Sequence, residues 1–203
     1  MSSVTMRMSG SERREQILGV TRAMVGERGF HAVSIEAVAR AAGITRPIVY
    51  EHFESLGGLL NALVRRESAR ALTQISAALP ATLGTGDPGE QLLVALRGYL
   101  DAVRSDPITW RLVLMPPEGA PELLREHIAA GRAMVVARLA EAVRPGFGPG
   151  GESPDPELTA RMVSALADEV ARLLLTDPER YPVERILAQT RWLLDQLAGS
   201  RAR

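Results

Sequence analysis

The stretch Ser34–Phe53, SIEAVARAAGITRPIVYEHF, constrains this chain more than any other part of it. Ile35, Val38 and Ala39 fall on one side of a short helix, at the three- and four-residue spacing that brings side chains to a common face. Ser34 is available as its N-cap. Ala39 is small where a second helix must cross closely. Gly43 lies four residues on, where a sharp reversal between helices needs the left-handed conformation that glycine tolerates. Ile44 then packs into the corner, and Thr45 caps a second short helix. Pro47 falls in its first turn, where a missing amide proton costs little. Val49 and Phe53, four apart, anchor this helix to a core. The pattern predicts a helix-turn-helix.

Turn signals cut the remainder into helix-sized pieces. Ser11 is placed to cap a first helix reaching about Arg28, with Ile17, Thr21, Met24 and Val25 on one stripe and Gly29 beyond its end. Further helices are expected near 56–79 and 90–104, from Pro107, from Pro121 to about Arg144, and near 157–176 and 183–197. Pro145–Pro156, rich in Pro and Gly, reads as a linker. No stretch alternates apolar and polar residues with period two. Cysteine is absent and aromatics are only 4%, so the core must come from Leu, Val, Ile, Ala and Met, which suits helices better than sheets. The expected fold is all-α with about nine helices: residues 1–55 form a helix-turn-helix domain and residues 56–203 a second helical domain. No apolar run approaches the ~20 residues of a membrane span. The first ten residues lack the apolar core of an export signal, and the expected location is the cytoplasm.

Formal net charge is zero, and all 24 basic residues are Arg. Up to Arg66 there are nine Arg against six acids; from Glu67 onward there are fifteen against eighteen. A basic first third joined to an acidic remainder suggests two parts with different partners. Subtracting the anchors of the second short helix leaves Thr45, Arg46, Pro47, Ile48, Tyr50, Glu51 and His52 for its outer face. Arg46, at the end that points at base edges, can bond guanine O6 and N7 bidentately. Thr45 and Pro47 suit a phosphate and a thymine methyl group, and Tyr50 and His52 offer donors to phosphate oxygens.

With GF before Ser34, then VARAAGIT, YEHF and the Leu59–Leu60 pair, the chain resembles the DNA-binding domain of TetR-family transcriptional regulators. The resemblance covers roughly Ser11 to Val64 by motif, and the rest by length and helical plan. It implies a homodimer of nine- or ten-helix subunits that bind a double-stranded, palindromic DNA operator. Three N-terminal helices would lie on DNA, and the larger C-terminal domain would bind a small-molecule effector. Thr45, Arg46, Pro47, Tyr50 and His52 would face the operator, with Ser34 near a phosphate. Leu56 stands where the family often places a phosphate-contacting Lys. It is followed by Gly57 and Gly58, which predict a frayed helix start, because glycine costs about 1 kcal/mol per helical position relative to Ala.

The last two helices are the expected dimer surface. Leu158, Met162, Leu166 and Val170 form one stripe, and Val163, Ala167, Ala171 and Leu175 a second, broader together than one neighbour requires. In the final helix Val183, Ile186, Leu187, Thr190, Leu193, Leu194 and Leu197 share one side, while Trp192 projects from the other. Tyr99, Arg104, Trp110, Met115, His127 and Met134 are the larger polar or adaptable side chains among aliphatic helices, and so the candidates for a mostly apolar ligand pocket.

Enzyme chemistry finds no support. Gly84-x-Gly86-x-x-Gly89 matches a dinucleotide fingerprint only as a string: it follows a helix rather than a strand, and Pro88 precedes its last glycine. His31, His52 and His127 lack metal-ligand spacing, and neither a metal nor another cofactor is expected. Asp168 and Glu169, adjacent on a helix, point apart and are poor acid–base partners. The expected function is a ligand-responsive transcriptional regulator, a repressor rather than an activator. The alternatives are a helical binding module without an operator and a small all-α enzyme.

Overall fold

Ser9 rather than Ser11 caps the first helix, α1 (Gly10–Arg28). The Ser9 hydroxyl accepts from the Glu12 amide at 3.3 Å while the Glu12 carboxylate accepts from the Ser9 amide at 2.7 Å. Such a reciprocal cap needs a Glu three residues on, which Ser9 has and Ser11 lacks. The computed structural model describes residues 8–79, 86–146 and 152–199, and among them run nine α-helices and no strand. After α1 come a 3-10 turn (Phe30–Ala32), α2 (Ile35–Ala42), α3 (Arg46–Phe53) and α4 (Leu56–Ala78). The others are α5 (Pro88–Ser105), α6 (Pro107–Leu114), α7 (Glu122–Val143), α8 (Pro156–Thr176) and α9 (Val183–Gly199). Gly84 of the dinucleotide-like string and residues 147–151 of the expected linker lie outside the described residues. Pro88 of that string opens α5 behind an Asp87 cap, so its last glycine, Gly89, lies within a helix.

The described residues form two compact units. The first holds the chain up to Glu67 together with Pro116–Leu124; the second holds Ser68–Met115 and the residues from Arg125 onward. In the first unit the anticipated stripe of α1, Ile17, Thr21, Met24 and Val25, is buried. Val38 of α2, Val49 of α3, and Leu59 and Leu63 of α4 are fully buried as well. Each such side chain contributes about 1.5–3 kcal/mol relative to exposure. One buried group is not apolar. Glu67 has almost no exposure, and its carboxylate accepts from Arg22 Nε at 3.0 Å and from Arg66 at 2.9 Å. A buried carboxylate survives only with such partners.

The second unit packs two clusters. Leu100 and Val103 of α5, Trp110 of α6, Leu174 of α8 and Ile186 of α9 belong to one, and Leu92, Val136, Leu139 and Ala160 to the other. Ala171 and Leu175 of the second α8 stripe are buried in the first cluster. Its polar seam is closed: Trp110 Nε1 donates to Gln74 at 2.7 Å, and the buried Asp106 accepts from Gln74 at 3.2 Å and from Arg70. No helix among the described residues is long and apolar enough to cross a membrane.

The two glycines at the start of α4 differ in kind. Gly57 has open space around it, its nearest neighbour being the Ser55 hydroxyl, whereas a Cβ on Gly58 would lie 2.1 Å from the Phe53 carbonyl oxygen. Gly58 also donates its amide to Ser55 Oγ at 3.0 Å, which closes the helix start rather than fraying it. Gly58 is therefore demanded by the close return of the chain after α3. Gly57→Ala should raise stability by up to about 1 kcal/mol. Gly58→Ala should lower it by about 1–3 kcal/mol, because backbone must move. Urea unfolding midpoints check both, and equal shifts would remove the distinction.

Candidate nucleic-acid interface and internal cavity

α2 and α3 are joined through Gly43, which adopts the left-handed conformation at φ 66°, ψ 33°. Ser34 caps α2 as expected, its hydroxyl oxygen accepting from the Ala37 amide at 3.1 Å. The hydroxyl proton remains available to donate. Thr45 occupies the N-cap position of α3 without a side-chain cap bond, and Pro47 sits in its first turn. Val49 and Phe53 are buried, which leaves Thr45, Arg46, Pro47 and Tyr50 exposed. Arg46 and Tyr50, four apart, share one face.

His52 departs from this set. It is half-buried, its ring tilted beside Phe53 at 6.3 Å between centroids and near Gly10 of α1. Two residues past Tyr50, it points about 200° round the helix, toward the inner flank. What the sequence did not suggest is the part taken by α2: Glu36 and Arg40 line a shallow notch with Thr45, Arg46 and Pro47. There Arg46 donates to Glu36 at 2.8 Å, both side chains more than half exposed. The hydrogen bond from Arg46 holds the Glu36 carboxyl below the usual carboxylate range.

The second unit contains a cavity bordered by α4, α5, α6, α7 and α8. Of the expected pocket residues, Tyr99, Trp110 and His127 line it, and the other three do not. Arg104 lies exposed on α5, paired with Asp101 at 3.0 Å one turn earlier. Met115 is exposed just past the end of α6, and Met134 is exposed on α7 beside Val135, which does line the cavity. Missed were Ser68, Arg132 and Asp168, with the aliphatic wall of Leu72, Ile75, Val113 and Ile128. Tyr99 donates to Asp168 at 3.3 Å, and Arg132 pairs with the other oxygen of Asp168. Burial and, secondarily, the Asp168 charge push the Tyr99 hydroxyl well above its ordinary value. Asp168 carried a legible signal: it follows Ser164 by four residues and precedes Ala171 and Leu175 by three and seven. That is the buried spacing of α8. Among the described residues no group of three or more His, Asp or Glu side chains could hold a metal ion.

Outside the cavity, Leu158, Met162 and Leu166 stand in a row along α8, Leu166 being 66% exposed. Val170, expected to continue them, is half-buried against the core instead. On α9, Trp192 is 54% exposed as expected, but Leu193 is exposed beside it. Leu194, about 100° further round the helix, packs inward.

Residues 17–63 match the family described as bacterial regulatory proteins, tetR family. The HTH-type transcriptional activator FasR of Mycolicibacterium smegmatis is 29% identical over 107 residues, 53% of this chain and 48% of that protein. The alignments with FasR and with other curated relatives span less than two thirds of those proteins' length. A TetR-like regulator structure from Rhodococcus superposes with a TM-score of 0.72 at 23% identity, covering 97% of this chain and 100% of that one. The triclosan complex of SmeT, from Stenotrophomonas maltophilia, superposes at 0.66 with 23% identity, covering 90% and 89%.

The Arg46–Glu36 pair can be tested without DNA. Arg46→Ala removes the donor that depresses Glu36, so its carboxyl titration should move upward toward the usual range. A pH titration followed by carboxyl-carbon NMR checks this. An unmoved midpoint would mean that the pair does not persist in solution.

Proposed function

We propose, from the premise that this chain belongs to the tetR family of bacterial regulatory proteins, that it is a ligand-responsive, DNA-binding transcriptional regulator. Members of the family are regulators rather than enzymes. One observation carries the DNA-binding reading. The start of α3 presents Thr45, Arg46, Pro47 and Tyr50 to solvent, while Val49 and Phe53 hold the opposite side in the core. Arg46 would exchange Glu36 for a guanine edge, and Ser34 and Tyr50 would donate to phosphates. His52, turned partly inward, would contribute at the margin. Residues 1–55 would form this reading head, and residues 56–203 the part that binds effector and partner.

A homodimer fits the exposed row of Leu158, Met162 and Leu166 with Trp192 and Leu193. An apolar patch that meets its own copy across a two-fold axis is buried without further partners. Two heads so related would read a palindrome with half-sites about 34 Å apart or somewhat more. The cavity would take the effector, as SmeT takes triclosan. We assign repression, relieved when the effector binds more tightly to the state that fits DNA poorly; equal affinity for both states shifts nothing. SmeT is described as a repressor. Working on DNA, the protein would act in the cytoplasm.

Selection of bound duplexes from a random pool at two salt concentrations tests the reading. A palindromic motif whose affinity falls steeply with salt is expected; absence of a motif at both salts would overturn it. Arg46→Ala should weaken the selected duplex by about 1–3 kcal/mol and relax one base position, with thermal unfolding unchanged. Leu166→Arg should turn a dimer into a monomer at micromolar concentration in sedimentation. An unchanged mass would remove this face from the interface.

A further inference from the structure

Ser68 lies on α4 at the wall of the cavity, only 6% exposed, and its hydroxyl makes no hydrogen bond among the described residues. A buried donor without an acceptor is costly, more so than an acceptor without a donor. No neighbouring polar group meets it with hydrogen-bond geometry. Tyr99 donates to Asp168, and Trp110 donates to Gln74. The charges are likewise spoken for: Asp168, its side chain 15% exposed, is paired with Arg132. A charged molecule would have to compete with that pair for a counter-charge, and burying a charge without one is strongly unfavourable. The remaining wall is aliphatic, with the Tyr99 and Trp110 rings meeting edge to face at 5.1 Å between centroids.

We propose that the cavity binds a compact, neutral, largely apolar molecule bearing one hydrogen-bond acceptor, which accepts a hydrogen bond from the Ser68 hydroxyl. This rests on the reading of the cavity as the effector site. It goes further in naming the ligand's charge, its polarity and the side chain that recognises its one polar atom. Tyr99, Asp168 and Arg132 act as a closed polar circuit that excludes ions rather than binding them.

The test uses the full chain and four probes of similar size: acetophenone, ethylbenzene, benzoate and benzylammonium. Calorimetric titrations of all four probes are made in one buffer at neutral pH, where benzoate and benzylammonium are both charged. Acetophenone should bind about tenfold more tightly than ethylbenzene, and more tightly than either ion. In Ser68→Ala, acetophenone should lose about tenfold while ethylbenzene is unchanged, so that the gap closes. The proposal fails if either ion binds as tightly as acetophenone, if the gap survives in Ser68→Ala, or if neither neutral probe binds at millimolar concentration. The selected duplex separates this from the effector reading. Ser68-dependent binding that leaves DNA affinity unchanged keeps the ligand class and removes the effector role. An ion that binds best and releases DNA does the reverse.

Discussion

With Gly43 at φ 66° and ψ 33°, the chain reverses between α2 and α3 in a conformation that a side-chain-bearing residue adopts only with strain. That reversal lets Val38 and Ala39 of α2 share a core with Val49 and Phe53 of α3. Once those four are inside, helical geometry leaves Thr45, Arg46, Pro47 and Tyr50 outside together. The second close approach, Gly58 against the Phe53 carbonyl, turns the chain immediately into α4. α4 then lays Leu59 and Leu63 into the same core. The reading face is in this sense a by-product of packing. The residues that would touch DNA are those that the core cannot use.

Arginine, the chain's only basic residue apart from histidine, organises its buried acids. Glu67 is met by Arg22 and Arg66, Asp106 by Arg70, and Asp168 by Arg132. A planar guanidinium with several donors can reach a carboxylate and still keep part of itself in water, as the exposure of Arg70 and Arg132 illustrates. Removing an arginine takes charge compensation from a buried carboxylate, which is more damaging than removing an acid from a partly solvated guanidinium. The Arg46–Glu36 pair is of another kind: both members are solvated, and exchange of partners is easy.

The legible parts of the molecule are those governed by short-range rules. The Ser34 cap, the Gly43 turn, the buried anchors Val49 and Phe53 and the order of the helices all follow from neighbours within a few residues. Ser11 was misplaced as a cap only because the reciprocal Glu sits three residues after Ser9. The cavity was half legible. Size and polarity pointed to Tyr99, Trp110 and His127, but the same criteria also selected Arg104, Met115 and Met134, which face solvent. Asp168 and Ser68 were overlooked because each resembles an ordinary polar helix residue when judged by its type rather than by the face it occupies.

Local chemistry therefore settled the order of the helices, the Ser34 cap, the Gly43 turn and the outward placing of Thr45, Arg46, Pro47 and Tyr50, since capping, turn geometry and apolar spacing act within one or two turns. It could not say that α4, α5, α6, α7 and α8 close around a single cavity, nor that Ser68 is left there without an acceptor. Those facts depend on residues up to about a hundred positions apart, brought together by packing of whole helices. Nor could periodicity divide the apolar surface of α8 and α9 into the part that the subunit buries and the part it leaves bare. Val170 and Leu194 turn inward while Leu166 and Leu193 stay in solvent. The choice between them is made by which face a neighbouring helix covers, and no single helix carries that information.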